Sequence, residues 1–435
     1  MLEKFHSIFK VEELRKRILF TLGLLVVYRI GGHIPSPGID GSILTQALSG
    51  NSLFGLMDLF AGGAFAKATI FALGIMPYIS ASIMFQLLGA VVPYLQRLQR
   101  EGEEGRRKIT QYTRYLTVLI AALQAWGTAT FLTTINLNGV PAVHMNTTGF
   151  MFLTIITFTC GTIFIMWLGE QITERGIGNG ISLIIFIGII ARFPDAVIEE
   201  AMLVWHGSRS FTTALGMGVM MIAVIAAVIL VTRAQRKIPV QYPRRVVGRR
   251  VFGGTTTHLP LSVNSAGVIP IIFAQSIMFL PSTVAQLFPT TDWLQNLVAV
   301  WLRPGGFWYS IIYGAIIIFF GYFYTAIVFN PMEIAGNMRK NGGYIPGIRP
   351  GKNTAEYVEK ILTRITLPGA IFFAAIAILP WVLIARANVN FFFGGTGLLI
   401  VVGVALDTLQ QIESHLLMRH YDGFLKKGKI RGRSM

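Results

Sequence analysis

Residues 211–232 read FTTALGMGVMMIAVIAAVILVT and carry no charged side chain, whereas the next stretch, RAQRKIPVQYPRRVVGRR (233–250), carries seven Lys and Arg. A helix needs about 20 apolar residues to cross the roughly 30 Å hydrocarbon core of a membrane. The first stretch is therefore long enough to span a bilayer, and the second is a basic loop beside it. This alternation of apolar runs and basic blocks recurs along the whole chain and decides its fold class.

Composition makes lipid the main solvent of this protein. The 435-residue chain is 53% hydrophobic and only 13% charged, so it has more apolar surface than soluble domains of ordinary size can bury. Backbone that faces lipid must satisfy its own hydrogen bonds, so the spanning segments are predicted to be helices. The sequence predicts ten of them, at 18–34, 68–93, 112–132, 150–171, 177–192, 211–232, 264–288, 307–329, 366–385 and 395–412.

The basic residues indicate the orientation in the membrane. Blocks at the N-terminus and at 97–114, 233–250, 339–364 and 419–433, together with Arg175, place 31 of the 37 Lys and Arg on one side of the ten predicted spans. Loops rich in Lys and Arg stay on the cytoplasmic side. Because ten is an even number, both termini are predicted to be cytoplasmic. The net charge of +17 suits anionic lipids, and it equally suits a polyanionic partner such as RNA.

A cut near residue 200 leaves five predicted spans on each side. Since five is odd, the second half enters the membrane with the opposite orientation, which is the arrangement of an inverted repeat. The sequence therefore predicts two halves, 1–200 and 201–435, with a pathway between them.

One apolar stretch, LFGLMDLFAGGAF (53–65), is too short to cross the membrane. It contains Asp58 and is interrupted by Gly62 and Gly63. We interpret it as a half-helix that enters the membrane from outside. An amphipathic helix on the membrane surface is the alternative that the pattern leaves open.

Several kinds of chemistry have no residues to support them. Cys160 is the only cysteine, and no G-x-x-x-x-G-K-[ST] phosphate loop, H-E-x-x-H zinc motif or G-x-S-x-G elbow occurs. We therefore predict no metal, no cofactor and no enzymatic activity. An alternating-access carrier would need polar groups at the membrane midplane, and an intramembrane protease would need a buried nucleophile with a base. Both remain rival hypotheses.

Six segments, in this order along the chain, resemble the SecY family of bacterial protein-conducting channels. They are YRIGGHIPSPGID (28–40), FALGIMPYISASIMFQLL (71–88), EGEEGRRKITQYTRY (101–115), ERGIGNGISLIIF (174–186), THLPLSVNSAGVIP (257–270) and GIRPGKNT (347–354). The resemblance implies an all-α polytopic membrane protein with ten transmembrane helices, arranged as two inverted five-helix halves around an hourglass pore.

The resemblance also assigns a pore ring and a plug. Isoleucines form a collar at the waist of the family's pore, and stiff branched side chains can seal a narrow apolar constriction by excluding water. In this chain the ring residues are Ile75, Ile79, Ile185, Ile189, Ile272 and Ile400. The half-helix at 53–65 resembles the plug that caps the closed pore, with Phe54, Leu56, Asp58, Phe60, Gly62 and Gly63 as its residues.

A lateral gate is implied between spans two and three on one side and spans seven and eight on the other. Small and polar residues there would let helices part, although ordinary helix packing uses the same residue types. The predicted gate residues are Ser80, Ser82, Gln86, Gln275 and Ser276, with Asn264 and Ser265 nearby.

Two basic loops, 233–263 and 331–365, are implied docking sites for the ribosome or for the SecA motor. Alternating residues and prolines in the first loop predict a hairpin, and the second is predicted to begin a helix at 353–356. The predicted contact residues are Arg244, Arg245, Arg249, Arg250, Arg349 and Lys352, and a solvated basic face is the alternative.

Taken together, the resemblance implies a passive channel in the bacterial plasma (inner) membrane. It would carry unfolded secretory polypeptides, recognised by their signal sequences, and release hydrophobic segments into lipid. The implied partners are SecE, SecG, the SecA ATPase, the ribosome with its RNA, nascent polypeptides and anionic lipids.

Overall fold

The computed structural model describes residues 11–48, 58, 61–137, 140–242, 245–247, 250–252, 256–264, 267–288, 291–303, 305–387 and 396–427. Helices dominate this part of the chain. They are α1 (Glu12–Gly31), α2 (Gly41–Leu48), α3 (Met76–Val91), α4 (Pro93–Arg100), α5 (Glu103–Thr134), α6 (Thr147–Arg175), α7 (Gly180–Ile190), α8 (Phe193–Trp205), α9 (Phe211–Arg233), α10 (Ile269–Leu287), α11 (Asp292–Val300), α12 (Phe307–Val328), α13 (Pro331–Lys340), α14 (Lys352–Ala387) and α15 (Thr396–Lys427).

Six short strands form three antiparallel pairs among the described residues. They are β1 (Asn136–Leu137) with β2 (Val140–Pro141), β3 (Gln235–Gln241) with β6 (Thr256–Ser262), and β4 (Arg245–Val247) with β5 (Arg250–Phe252). The β3 and β6 pair confirms the hairpin predicted in loop 233–263. In β3 the buried Ile238 and Val240 alternate with exposed residues, which is the two-residue period of a strand with one covered face.

The spanning helices agree with a polytopic fold. Within the described residues, seven helices are long and apolar enough to cross a membrane, and α3 with α4, bent by 100°, would be an eighth. α1 and the shorter apolar α10 occupy the two remaining predicted spans. α1 is less apolar than the other predicted spans because Arg15, Lys16 and Arg17 lie in its first half. The described helices are therefore consistent with ten spans.

At the second span the helix begins later than predicted. The prediction started a helix at residue 68, but residues 62–75 run as turns and α3 begins only at Met76. The Ser36 N–H donates to the Ala68 carbonyl (2.8 Å), and the Ile70 N–H donates to the Ile34 carbonyl (3.0 Å). These bonds to a distant segment take the place of helical ones. Pro77, which has no N–H to donate, sits favourably in the first helical turn.

The described chain divides into two compact units. Unit 1 comprises Met1–Asp195, Pro281–Leu294 and Val404–Met435, and unit 2 comprises Ala196–Leu280 and Gln295–Gly403. In unit 1, α5 packs on α6 and on α3. In unit 2, α12 packs along α14, where Gly314 faces Ile378 and Gly321 faces Ala370 at distances that leave little room for a larger side chain. Small residues of this kind let membrane helices approach closely.

Candidate functional site

Four of the six predicted ring isoleucines lie in unit 1, and all four are buried. Ile75 caps the start of α3, and its carbonyl accepts a hydrogen bond from the Ile79 N–H (3.2 Å). Ile185 and Ile189 lie one turn apart on α7, a helix in which Ser182 is the one polar residue. The Asn179 side chain caps this helix by accepting from the N–H groups that begin it.

The other two ring isoleucines lie in unit 2 and are also buried. Ile272 is in the first turn of α10, and Ile400 is in the first turns of α15. Four of the predicted ring isoleucines are thus buried in unit 1 and two in unit 2. That the six meet in one ring stays a prediction.

The base of the predicted plug is held by polar contacts around Asp58. This buried carboxylate lies 2.9 Å from Arg192 Nη1, and its Oδ1 accepts a hydrogen bond from the Ala66 N–H (2.8 Å). The Gly63 N–H donates to the Asp58 carbonyl (2.9 Å). Phe54, Leu56 and Phe60 lie outside the described residues; of the segment's described residues, Asp58 and Ala61 are helical and 62–65 run as turns.

Two arginines that sequence reasoning did not assign contact this region. Besides Arg192, the Nη1 of Arg29 donates to the Gly62 carbonyl at 2.9 Å. Both arginines are among the six basic residues on the charge-poor side of the predicted topology. One sequence feature could have identified them. Each is a single arginine at the end of an apolar span, on the side where basic residues are rare.

Gly62 also lies against the backbone of α7. A Cβ atom built on Gly62 would fall 2.8 Å from the Cα of Gly188, closer than real side chains approach. Its φ of +65° is in the left-handed region, which glycine adopts at little cost. Gly63 has a φ of +88° as well, but a Cβ built there would meet nothing within 4 Å. Glycine is therefore favoured at position 62 by both its positive φ and the close approach of Gly188, and at position 63 by its positive φ alone.

The predicted gate residues differ in their surroundings. Ser80, Gln275 and Ser276 are buried, whereas Ser82 and Gln86 are partly exposed, and the Gln86 amide donates to Ser82 Oγ at 3.4 Å. Within unit 2, the Gln275 side chain on α10 hydrogen-bonds the Tyr309 hydroxyl on α12. This bond links two predicted gate helices of the same side. Asn264 is partly buried, and Ser265 lies outside the described residues.

The two predicted docking loops belong to one small folded module in unit 2. Ile238 and Leu261 of the hairpin share an apolar core with Met338 of α13 and Val358 of α14. Gln241 and Tyr344 exchange backbone hydrogen bonds of 2.9 and 3.0 Å, and the Tyr344 hydroxyl donates to the Gln241 side chain. Sequence reasoning treated the loops separately and missed this shared core, because its residues are distant in the chain.

The predicted docking residues are only partly covered by the structure. Arg244 and Arg249 lie outside the described residues. Arg245 and Arg250 are placed by their backbones in β4 and β5, where Arg245 pairs with Phe252 and Arg250 with Val247. Arg349 and Lys352 are exposed on the module, and Lys352 begins α14 at 3.8 Å from Glu356.

One further ion pair joins two spans of unit 1. Arg114 on α5 donates through Nε and Nη2 to the two carboxylate oxygens of Glu170 on α6, at 2.9 and 2.8 Å. Such a two-point pair fixes the orientation of both side chains.

Within the part of the chain that the structure describes, no group of three or more His, Cys, Asp or Glu side chains could hold a metal ion.

Comparisons with known proteins agree over nearly the whole chain. The sequence model of the SecY family matches residues 69–409. A relative from Thermotoga maritima, named protein translocase subunit SecY, is 46% identical over 100% of both chains. A solved structure described as a protein conducting channel aligns with a TM-score of 0.62 at 20% identity over 92% of each chain.

A structure described as Sec61 in the canine ribosome-channel complex aligns with a TM-score of 0.58 at 19% identity, again over 92% of each chain. These structural likenesses show the fold, and the sequence matches carry the relationship. The chain belongs to the SecY family.

Proposed function

We propose that this chain is the pore subunit of a protein translocase, which passes unfolded secretory polypeptides through the membrane and releases hydrophobic segments sideways into lipid. The observation that carries the proposal is the 46% identity with a named translocase subunit over the full length of both chains. The chain itself is a channel subunit rather than an enzyme, so energy for transport comes from a partner.

The pathway runs between two inverted halves, 1–200 and 201–435. At its waist Ile75, Ile79, Ile185, Ile189, Ile272 and Ile400 form the ring. Two features of the described chain support this assignment: all six side chains are buried, and both units contribute. An empty apolar constriction sheds water and so opposes ion flow, while branched side chains can move aside for a peptide.

The segment 53–65 is the plug, and its base is a latch made by Asp58 with Arg192 and by Arg29 with Gly62. The short distances of these contacts support the proposal. Because the guanidinium of Arg192 is partly exposed, water can reach the ion pair and take the place of Asp58 when a chain enters the pore.

The lateral gate lies between spans two and three and spans seven and eight, with Ser80, Ser82, Gln86, Gln275 and Ser276 at the seam. The bond between Gln275 and Tyr309 supports the idea that spans seven and eight move together when the gate opens.

The module that carries Arg245, Arg250, Arg349 and Lys352 docks the ribosome, or alternatively the SecA motor. Basic side chains suit ribosomal RNA phosphates, and the aligned Sec61 structure is of a ribosome-channel complex. SecA would supply the ATPase, SecE would clamp the two halves and SecG would join them. Anionic lipids would neutralise the remaining basic loops.

The channel lies in the bacterial plasma membrane with both termini in the cytoplasm. The distribution of basic residues supports this orientation, since 31 of 37 fall on the side of the termini.

Crosslinking of an arrested secretory chain tests the proposal. In a Cys160→Ser background, single cysteines are placed at positions 75, 189 and 272, and at the exposed Ile222 on α9 as a control. A cysteine in the arrested chain should form disulfides with the three ring positions and not with position 222. Equal crosslinking at all four positions, or none at the ring, would reject a central pathway.

A further inference from the structure

α11 is a short helix between two spans, and it has three distinct faces. Leu294, Val298 and the following Leu302 are buried and lie on one face. Trp293, Leu297, Val300 and Trp301 form an exposed apolar stripe, with exposed fractions of 67%, 37%, 63% and 47%. The remaining exposed positions are polar or small, namely Asp292, Gln295, Asn296 and Ala299. A helix of nine residues is about 14 Å long, too short to cross the membrane.

The chain tethers α11 to the same membrane surface at both of its ends. Five residue steps separate the end of α10 at Leu287 from Asp292, and seven separate Val300 from the start of α12 at Phe307. At about 3.6 Å per step, α11 begins within about 18 Å of one span and ends within about 25 Å of the next. The helix therefore cannot travel far from the bilayer surface.

Ring contacts within unit 2 connect the apolar stripe of α11 to the outer side of α12. Trp301 packs on Trp308 with ring centroids 5.0 Å apart, and Phe307 packs on Trp308 at 5.7 Å. From Trp308 the exposed side of α12 continues at helical steps through Ile311, Ala315 and Phe319. This row is apolar throughout, as lipid-facing rows of spanning helices are, so the stripe on α11 is an extension of the lipid-facing surface.

We propose that α11 lies in the interface of the outer leaflet, with the stripe Trp293, Leu297, Val300 and Trp301 in the boundary between headgroups and acyl chains. Tryptophan is favoured at this depth because its ring is apolar and its N–H can reach water or headgroups. The buried face turns to the protein, and Asp292, Gln295 and Asn296 face water. The outer side follows from the proposed orientation of the channel.

The partner is the lipid interface itself rather than an anionic headgroup. α11 has one acidic residue, Asp292, and no basic one. Attachment is therefore driven by apolar area, and we expect it to be insensitive to salt and to anionic lipid content, unlike attachment of the basic loops. One consequence is that the outer end of the predicted gate helix α12 is fixed at the depth of the interface.

Spin-label accessibility tests the placement. In the Cys160→Ser background, full-length protein with single labelled cysteines replacing Leu297 or Val300 is compared with Gln295 and Asn296 in proteoliposomes. Labels at 297 and 300 should be reached several-fold better by oxygen than by a water-soluble nickel chelate, at a depth of about 5–10 Å. Labels at 295 and 296 should show the reverse. Ile222 on α9 and Asn341 after α13 supply the acyl-chain and water references.

Two results would overturn the proposal. Equal access of the nickel chelate to all four labels would mean that α11 stands in water, and protection of 297 and 300 from both reagents would mean that protein covers the stripe. A second measurement avoids labels that disturb the helix. Lipids brominated near the headgroup should quench less of the tryptophan fluorescence in Trp301→Phe than in the unaltered protein. Equal quenching in the two proteins would contradict the proposal. These readouts do not depend on transport, so failure of the pore crosslinks would leave them standing.

Discussion

Asp58 at the base of the predicted plug and Arg192 beyond the end of α7 form an ion pair with 2.9 Å between the carboxylate Oδ2 and the guanidinium Nη1. The carboxylate side chain is 5% exposed and the guanidinium side chain is 35% exposed. The pair therefore joins a short segment that cannot span the membrane to a helix that carries two of the predicted ring isoleucines, Ile185 and Ile189.

Asp58→Asn should weaken the latch while keeping the hydrogen bond from the Ala66 N–H. Loss of one partner of this pair, whose carboxylate is buried and whose guanidinium is partly exposed, costs about 1–2 kcal/mol after solvent screening, enough to raise an open-plug population roughly 5- to 30-fold. Ion leak through reconstituted channels should rise, and weak signal sequences should pass more readily. The charge-swapped pair Asp58→Arg with Arg192→Asp should restore part of the seal. Leak that stays at the level of the unaltered channel would show that the pair does not hold the plug.

Gly62→Ala should open the channel more than Gly63→Ala. Both substitutions place an L-residue at positive φ, which costs about 1–2 kcal/mol. Only Gly62→Ala also drives a methyl group into the backbone of Gly188. The difference in leak between the two variants isolates the close approach of the segment to α7. Equal leak in both would mean that backbone strain alone explains the effect.

Ile79→Asn should loosen the predicted ring. Isoleucine at this buried position excludes water, and an amide there attracts it, so the dewetted barrier is lost. We expect an increase in ion leak of about tenfold, equivalent to about 1.4 kcal/mol, and acceptance of defective signal sequences. Ile79→Leu, which keeps the apolar volume, is the control. Unchanged leak and unchanged signal stringency in the asparagine variant would argue against the ring.

Arg349→Glu and Ile238→Asp should both reduce docking to ribosomes, but for different reasons. Arg349 is exposed, so its reversal removes a phosphate contact and should weaken binding at low salt while making the further loss of binding with rising salt shallower, without changing proteolytic sensitivity. Ile238 lies in the shared core of the docking module, and a buried charge there should unfold the module and expose it to protease. Binding assays at several salt concentrations and limited proteolysis separate the two. Normal ribosome binding by both variants would show that the module is not part of the surface that docks the ribosome.

Local sequence predicted the spanning helices well, because each needs only about 20 apolar residues. It also predicted the hairpin, because buried and exposed residues alternate within β3. Boundaries were harder to predict. Residues 68–75 are as apolar as a helix requires, yet their backbone bonds go to the segment around Ser36, which no local pattern reveals. The start of α14 at Lys352 agrees with the helix start predicted at 353–356, but the prediction did not show that this helix continues without a break into the span predicted at 366–385.

The assignment of the site residues stays a prediction, and the structure adds contacts that the prediction lacked. The ring isoleucines were assigned through the resemblance, and all six are buried. The partners Arg29 and Arg192 could not be paired with Gly62 and Asp58, since nothing in the sequence gives the distance between segments so far apart. The bond from Gln275 to Tyr309 was missed for the same reason.

By itself, the sequence determined that this protein is a helical membrane protein with several spans, because the hydropathy of each segment acts locally against lipid and water. Only the tertiary structure decided that Asp58 pairs with Arg192, that the two basic loops share one apolar core, and that Trp301 packs on Trp308 of α12. Those outcomes depend on distances between remote segments, which packing sets and composition does not encode.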